Sequence, residues 1–429
     1  MKRNQNLFSA KWSTVTSIAI LVLVGSVLAV GQTERVVHRF QGGNDGFQPE
    51  GGLITDQAGN LYGMTTAGGA HKRGAVFKLA KQDGRWAKTV LYTFNGAGDV
   101  GFPVGKLIFD QIGNLYGVTA QYGSGPGGMV FELTPQGSTW AETVIYTFPA
   151  KVFSGGDLAL DEAGNLYGAT FNGGQYGEGA VFELTPSQGG WTETTIYSFN
   201  HMHNGVFGPV TGPIINSAGN LYGVVQNGDN NSDGAVWELK SPTTQGGAWT
   251  EKVLYKFQGG NNGQNPAGQL MFDGKGNLDG VTYGGGAFNN GTVFQLVRQG
   301  TSWTETVLYS FCSQSNCSDG ALPEAGLIAD VKGNLYGTTT AGGNNQDCGS
   351  NGNAPCGTVF QLTPPATQGG AWTEIVLHNF TSGDVDGYFP NSPLVHGKFG
   401  GLWGMTYWGG DLTEACGTNG CGTVFSIFF

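Results

Sequence analysis

A five-residue signature, Gly59-Asn60-Leu61-Tyr62-Gly63, returns along the whole chain, and a sequence that repeats itself folds as an array or ring of like units. Copies stand at residues 113–117, 164–168, 219–223, 276–280 and 333–337, with a degenerate seventh, Gly400-Gly401-Leu402-Trp403-Gly404. The asparagine position falls at 60, 114, 165, 220, 277, 334 and 401, in steps of 54, 51, 55, 57, 57 and 67. That period is near the ~50 of kelch-type propeller blades and far above the ~20–29 of leucine-rich repeats. Each unit reads as four strands. Leu53-Ile54-Thr55 leads into the turn Asp56-Gln57-Ala58-Gly59-Asn60, residues 61–66 form a second strand, residues 74–79 a third, and residues 86–94 a fourth that begins on Trp86 and ends on Phe94. Apolar residues on both faces of the third strand predict sheets packed on both sides.

The ends of the chain fit a ring. The last residues, Ser426-Ile427-Phe428-Phe429, close a third strand with no fourth after it, while residues 36–40 match a fourth strand with no unit before it. Pairing the two would remove the edges that an open array exposes. The predicted fold is therefore all-β, a seven-bladed β-propeller of four-stranded blades spanning 32–429, closed by the N-terminal strand in the last blade. A linear β-solenoid, the other architecture for such repeats, would call for terminal caps.

The Gly-Asn-Leu-Tyr-Gly and Gly-Thr-Val-Phe-x-Leu signatures, with Trp-Thr-Glu-Thr-Val-Leu-Tyr-x-Phe, resemble the GloVer tandem repeats of bacterial "choice-of-anchor" surface proteins over residues 36–429. The resemblance implies export and a propeller-like repeat. It brings no assigned activity, catalytic residue or cofactor.

Composition narrows the function classes. A net charge of −11 gives no basic footprint, so nucleic acid is not an expected partner. Glycine, 77 of 429 residues, has no every-third-residue period, so it marks turns and not collagen. Lys2, Arg3 and Lys11 precede the apolar run 18–30, with small Ala29 and Gly31 at −3 and −1 of a cleavage site, which reads as a signal peptide over 1–31; the alternative is an uncleaved anchor. As a helix that run reaches only ~20 Å, short of a ~30 Å bilayer core. No membrane span is expected after it, and the expected location is secreted, periplasmic or at the cell surface. Three close cysteine pairs, Cys312/Cys317, Cys348/Cys356 and Cys416/Cys421, read as disulfides on such a chain.

In a four-stranded blade, the loops after strands two and four open on one face of the disc. That face carries the Asp-Gly linkers, the Thr-x-x-Gly-Gly loops and all three cysteine pairs, and loops on a rigid scaffold are where binding usually lives. The candidate ligand-binding residues there are Tyr407, Trp408, Asp411, Tyr283, Tyr176, Tyr122, Phe47 and Phe102, whose rings suit sugar faces or a protein partner. Packing between blades is the competing role for each. His201 and His203 would share a metal only if their stretch were extended. Asp279, in the tyrosine position of the signature, reads as an inward carboxylate or as drift. The linker aspartates are Ca²⁺ candidates or plain turn residues. No nucleophile elbow, metalloprotease motif or phosphate loop is present, and no metal or cofactor is expected. The reading that results is an exported, non-enzymatic binding module for a glycan or a protein partner. The alternatives are a secreted polysaccharide hydrolase or lyase with carboxylates near the propeller axis, and a structural envelope protein.

Overall fold

The repeated signature ends on glycine because a ring lies on it. In the computed structural model, a Cβ on Gly63 would stand 2.7 Å from the tip of Phe77, the third-strand aromatic of the same blade, and Gly117, Gly168, Gly223, Gly280, Gly337 and Gly404 lie under their own third-strand rings in the same way. The structure describes residues 33–96, 98–120, 127–228, 233–244, 246–344, 356–367, 369–381, 386–398 and 400–429. Blade one consists of Phe47–Thr55, Leu61–Ala67, Ala75–Gln82 and Arg85–Thr93, paired antiparallel in that order. The order recurs in every blade, giving a seven-bladed propeller. In blade four the first strand is split into Val206–Pro209 and Ile214–Ile215, both on Leu221–Gly228.

Blade seven takes Val395–His396, Leu402–Thr406 and Thr423–Phe428 from one end of the chain and Thr33–Arg39 from the other. Thr33 stands opposite Phe428 and Arg39 opposite Thr423, and the Phe40 amide donates to Gly422 O at 3.1 Å, so the ring closes as the sequence predicts.

One aromatic contact recurs at all seven junctions. The phenylalanine after each fourth strand meets the third-strand ring of the next blade edge to face: Phe94 on Phe131, Phe148 on Phe182, Phe199 on Trp237, Phe257 on Phe294, Phe311 on Phe360 and Phe380 on Phe425, with centroids 5.0–5.7 Å apart. Phe40 on Phe77, at 5.3 Å, completes the circle. Such pairs add about 0.5–1.5 kcal/mol each beyond their buried area.

The turn between strands one and two is held by its aspartate. Asp56 accepts the Asn60 amide at 2.9 Å, the Asn60 side chain at 2.7 Å and the Tyr62 hydroxyl at 3.0 Å, while Gly59 takes φ 86°. Asp110, Asp161 and Asp330 repeat the arrangement.

Two expectations need correction. The first strand begins well before Leu53 in blade one, at Phe47, and is likewise long in blades two and five, Pro103–Phe109 and Gln264–Phe272, whereas blades three, six and seven pair only two residues there. His201 and His203 lie in a single helical turn, His201–Asn204, where residues two apart do not face one another; the His201 ring pairs with Glu178 instead.

Disulfides join Cys312 to Cys317 and Cys416 to Cys421. Cys356 is buried and disulfide-bonded, while Cys348 lies outside the described residues. Among the described residues no helix is long and apolar enough to cross a membrane.

Candidate functional site at the propeller axis

The first strands surround a cavity of about 960 Å³. Aligning the seven copies on their first-strand Pro or Ser gives two layers of wall. The layer nearer the disulfide-bearing face holds Glu50, Val104, Gly155, Val210, Ala267, Glu324 and Asn391 from blades one to seven; the layer two residues deeper holds Gly52, Lys106, Asp157, Gly212, Gln269, Gly326 and Pro393. The cavity is lined by that whole first layer and, in the second, by Lys106, Asp157, Gln269, Gly326 and Pro393. In the first layer the polar groups fall on three consecutive blades, six, seven and one, and the other four blades offer only apolar side chains or glycine.

Burial shapes the acids of this wall. The Glu324 carboxyl is pushed up to about 7 by burial, with the charge of Glu50 adding to the effect. Glu50 is likewise raised by burial, against a hydrogen bond from Thr66. The Thr66 hydroxyl lies 3.0 Å from Glu50 and 3.2 Å from the Pro103 carbonyl, and it has one proton to give. In the deeper layer burial raises Asp157, opposed by the Lys106 charge and by the Lys106 amide at 2.8 Å. The Lys106 ammonium crosses to the Gln269 side-chain oxygen, and Gln269 is fixed by the Gly212 and Pro213 carbonyls at 3.4 and 3.2 Å. Thr211 Oγ1 and Asn391 Oδ1, both on lining residues, are buried without a hydrogen-bond partner.

The sequence-predicted site residues fall in different places. Tyr283 lines the cavity and is 37% exposed, its hydroxyl raised by burial and by Glu324. It follows the last threonine of its second strand, the register that Phe171 and Tyr407 hold in blades three and seven. Tyr407 meets Trp408 edge to face at 4.7 Å, and Trp408 pairs with Tyr388 in a short two-stranded sheet. Asp411 accepts the Thr413 amide at 3.0 Å. Tyr176 is 49% exposed on its loop. Phe47 packs against the core between blades seven and one, and Phe102 lies under the Arg73 guanidinium at 5.5 Å. Tyr122 lies outside the described residues. Asp279 faces Gln295 at 2.8 Å, away from the axis; burial pushes it up to about 7. Where blades two to four pair tyrosine with glutamate, as in Tyr167–Glu183 and Tyr222–Glu238, blade five pairs aspartate with glutamine.

The wall residues Glu50, Lys106, Asp157, Gln269, Glu324 and Asn391 were not singled out by sequence. They lie in segments that read as linker, and the usable signal is a column that varies between copies where the flanking proline and leucine each depart in one copy only, at Ser154 and Pro213.

The linker aspartates act in the junctions between blades. Asp99 accepts the Tyr92 hydroxyl and Asp319 the Tyr309 hydroxyl, each at 2.7 Å, and each stands near a glutamate of the next blade's fourth strand, Glu142 and Glu374 respectively.

Among solved structures, an ulvan lyase of polysaccharide lyase family PL25, bound to a GlcA–Rha3S ligand, is 10% identical with a TM-score of 0.52, over 91% of this chain and 95% of the lyase. A glucose dehydrogenase-type oxidoreductase from Thermus thermophilus is 16% identical with a TM-score of 0.45, over 93% and 100% of the two chains. The sialidase of Trypanosoma rangeli is 11% identical with a TM-score of 0.44, over 93% of this chain and 59% of the sialidase. At such identity the lyase shares the fold alone. No curated protein matches the chain. The family model of the Gloeobacter/Verrucomicrobia repeat matches residues 25–207 and 154–411, and with its signature in seven successive blades this chain belongs to that repeat family.

Proposed function

We propose that this protein binds a small, hydroxyl-rich ligand, a mono- or short oligosaccharide, in the axial cavity, and that it does so outside the cytoplasm. The observation that carries the reading is the change of wall chemistry within one layer: Glu324, Asn391 and Glu50 on one side, Val104, Val210 and Ala267 on the other. A sugar ring has the same duality, hydroxyls at its rim and apolar C–H faces, and pockets of this kind pair an apolar lining with a few placed polar groups. Tyr283 at the cavity supplies an aromatic face. The unpartnered Thr211 and Asn391 oxygens gain most from a ligand hydroxyl, since a buried polar atom without a partner costs about 1–3 kcal/mol. Three carboxyls face one ammonium already held by Gln269, which favours a neutral or amino sugar over a uronate or sulfated one. For longer glycans the Tyr407–Trp408 pair is the proposed outer contact. The basic-then-apolar N-terminus and the disulfides support export.

A glycan array followed by calorimetry on the mature protein tests this. Neutral or amino sugars are expected to bind, Glu50→Gln and Glu324→Gln to weaken affinity by about 1–3 kcal/mol, and Tyr407→Ala with Trp408→Ala to do so only for longer glycans. Binding that survives both glutamate changes would place the ligand elsewhere.

A second reading rests on the Glu50–Glu324 pair itself. Two carboxyls that feel one another in one cavity, with Glu324 holding its proton to about pH 7, have the components of glycoside hydrolysis, an acid and a base or nucleophile. Turnover of aryl glycosides, abolished by either glutamine variant, would establish it; binding without turnover would leave the binding module.

A further inference from the structure

We propose a divalent transition-metal site, Zn²⁺ by preference, at the outer edge of the junction between blades six and seven, held by Glu34, His378 and Asp386. One ligand atom from each residue lies within 4.8 Å of the other two. The His378 Nε2 to Asp386 Oδ2 distance is 3.0 Å, Asp386 Oδ1 is fixed by the Gly387 amide at 2.7 Å, and Glu34 Oε1 is buried without a partner. Zn²⁺ bonds of about 2.0–2.2 Å need ligand atoms some 3–4 Å apart, so a small contraction of this set would seat the ion.

The other junctions of the same ring show what the fold requires without a metal. Between blades one and two, and between five and six, the equivalent residues are Tyr92, Asp99 and Glu142, and Tyr309, Asp319 and Glu374. There too the glutamate Oε1 has no partner, so the orphaned oxygen is a property of the repeat. A phenol gives its proton to the aspartate and has no ligand to offer a metal at neutral pH. Between blades six and seven the phenol is an imidazole, whose ring nitrogen lone pair is a ligand for zinc. Between blades seven and one the imidazole recurs as His38 beside Asp45, but the glutamate position holds Lys88, whose ammonium lies 2.7 Å from Asp45 and already balances the charge. Among the described residues, only the junction of blades six and seven combines an imidazole with two carboxylates. Arg39 stands near enough to offset part of the Glu34 charge, a doubly charged cation neutralises the remainder, and one nitrogen with two oxygens suits zinc and its neighbours better than Ca²⁺, which takes six to eight oxygens. Three protein ligands leave a coordination position for water.

The test uses untagged protein stripped with chelator and titrated with ZnCl₂, read by calorimetry and by metal content. One zinc per chain is expected. His378→Tyr, which installs the phenol of the other junctions, and Glu34→Gln should each weaken zinc binding by at least about tenfold, the loss that even outer-shell changes cause, with circular dichroism unchanged. His203→Asn, beside the surface pair of His201 and Glu178, should leave it unaltered. Zinc binding that ignores both junction variants, or a chain that takes up none, would overturn the site. Anomalous scattering from zinc-soaked crystals gives a reading independent of any variant: a peak between the three side chains supports the proposal, and none there overturns it.

Discussion

Blades one to six are each wound from one uninterrupted stretch of chain, whereas blade seven joins residues 395–428 to residues 33–39. Chemistry changes with connectivity. Its first turn has Gly397 where four of the others use aspartate in one network, its second strand has Trp403 for tyrosine, and Ser426 stands opposite Trp403 where Glu132 and Glu183 stand opposite their tyrosines. Both junctions that flank it carry histidine where the others carry tyrosine. What blade seven keeps is equally informative: the glycine under the third-strand ring, and the phenylalanine that ends each fourth strand on the next blade's ring. The retained features are those of close packing, one within the blade and one against the next. The altered ones are polar networks within a blade or junction, which drift as sets.

The largest expected effect tests closure. Removing residues 33–40 strips the fourth strand from blade seven and takes Phe40 off Phe77, leaving the edge of Thr423–Phe428 bare. Loss of cooperative unfolding and aggregation are expected. Moving the same eight residues behind Phe428 through a two-residue turn such as Asp-Gly should restore the fold, because Phe428 and Thr33 already stand opposite one another, as Gln82 and Arg85 do across their two-residue turn in blade one. If the permuted chain melts like the natural one by calorimetry, the connectivity of blade seven is immaterial; if it stays unfolded, closure from the far end is part of how the ring forms.

A smaller effect separates the junctions by the sign of their pH dependence. Burial pushes Glu142, Glu305 and Glu374 from 4.5 to about 7, with Asp99 and Asp319 adding at the first and third. The unfolded chain releases these protons near 4.5 and the folded chain holds them, so stability falls as pH rises from about 4.5 to 7 and levels off above. Asp45 runs the other way. Burial alone would raise it, but hydrogen bonds from His38 and Lys88 hold it at about 2. Its contribution is present above about 4 and is lost as pH falls from there towards 2. Melting temperatures across pH should therefore flatten between 5 and 7 for the combined Glu142→Gln, Glu305→Gln and Glu374→Gln variant, and flatten only on the acid side for Asp45→Asn. A single common slope in both would dissolve the distinction between the junctions.

The same contrast explains what was legible in the sequence. The signature and the strand-ending phenylalanine repeat because packing repeats, and with the orphan fourth strand at one end and the missing one at the other they imply seven closed blades. The axial wall does not repeat. Glu50, Val104 and Gly155 share a position with nothing chemical in common, so no periodic pattern marks them, and they precede the residues that look like strand. Tyr283 was legible because it is an aromatic in a loop of glycine and asparagine, whereas Phe47, equally aromatic, turned inward to cover the closing core. Aspartates in Asp-Gly linkers read as turn residues; that Asp99 and Asp319 reach tyrosines on the preceding fourth strand depends on a fold of the linker that spacing alone does not specify.

The smallest expected effect concerns the disulfides, one in blade seven and one between blades five and six. Cys312–Cys317 and Cys416–Cys421 both span five positions, so chain entropy assigns each about 2 kcal/mol. Any difference between them must come from packing. Cys317 lies in a small cluster with Ala321 and Ala341, apart from the blade cores. Cys421 is fully buried among Phe40, Leu53, Phe77 and Val424, and its carbonyl accepts the Gln48 amide at 3.0 Å. Replacing Cys416 and Cys421 by alanine therefore removes a cross-link and also leaves a void in the core that closes the ring, at an added cost of about 1 kcal/mol. Replacing Cys312 and Cys317 removes little beyond the cross-link. Calorimetry of the two double variants should show the larger fall in melting temperature for the blade-seven pair, with both proteins still folded. Equal falls would mean that the closing core is packed no more tightly against its disulfide than a surface loop is.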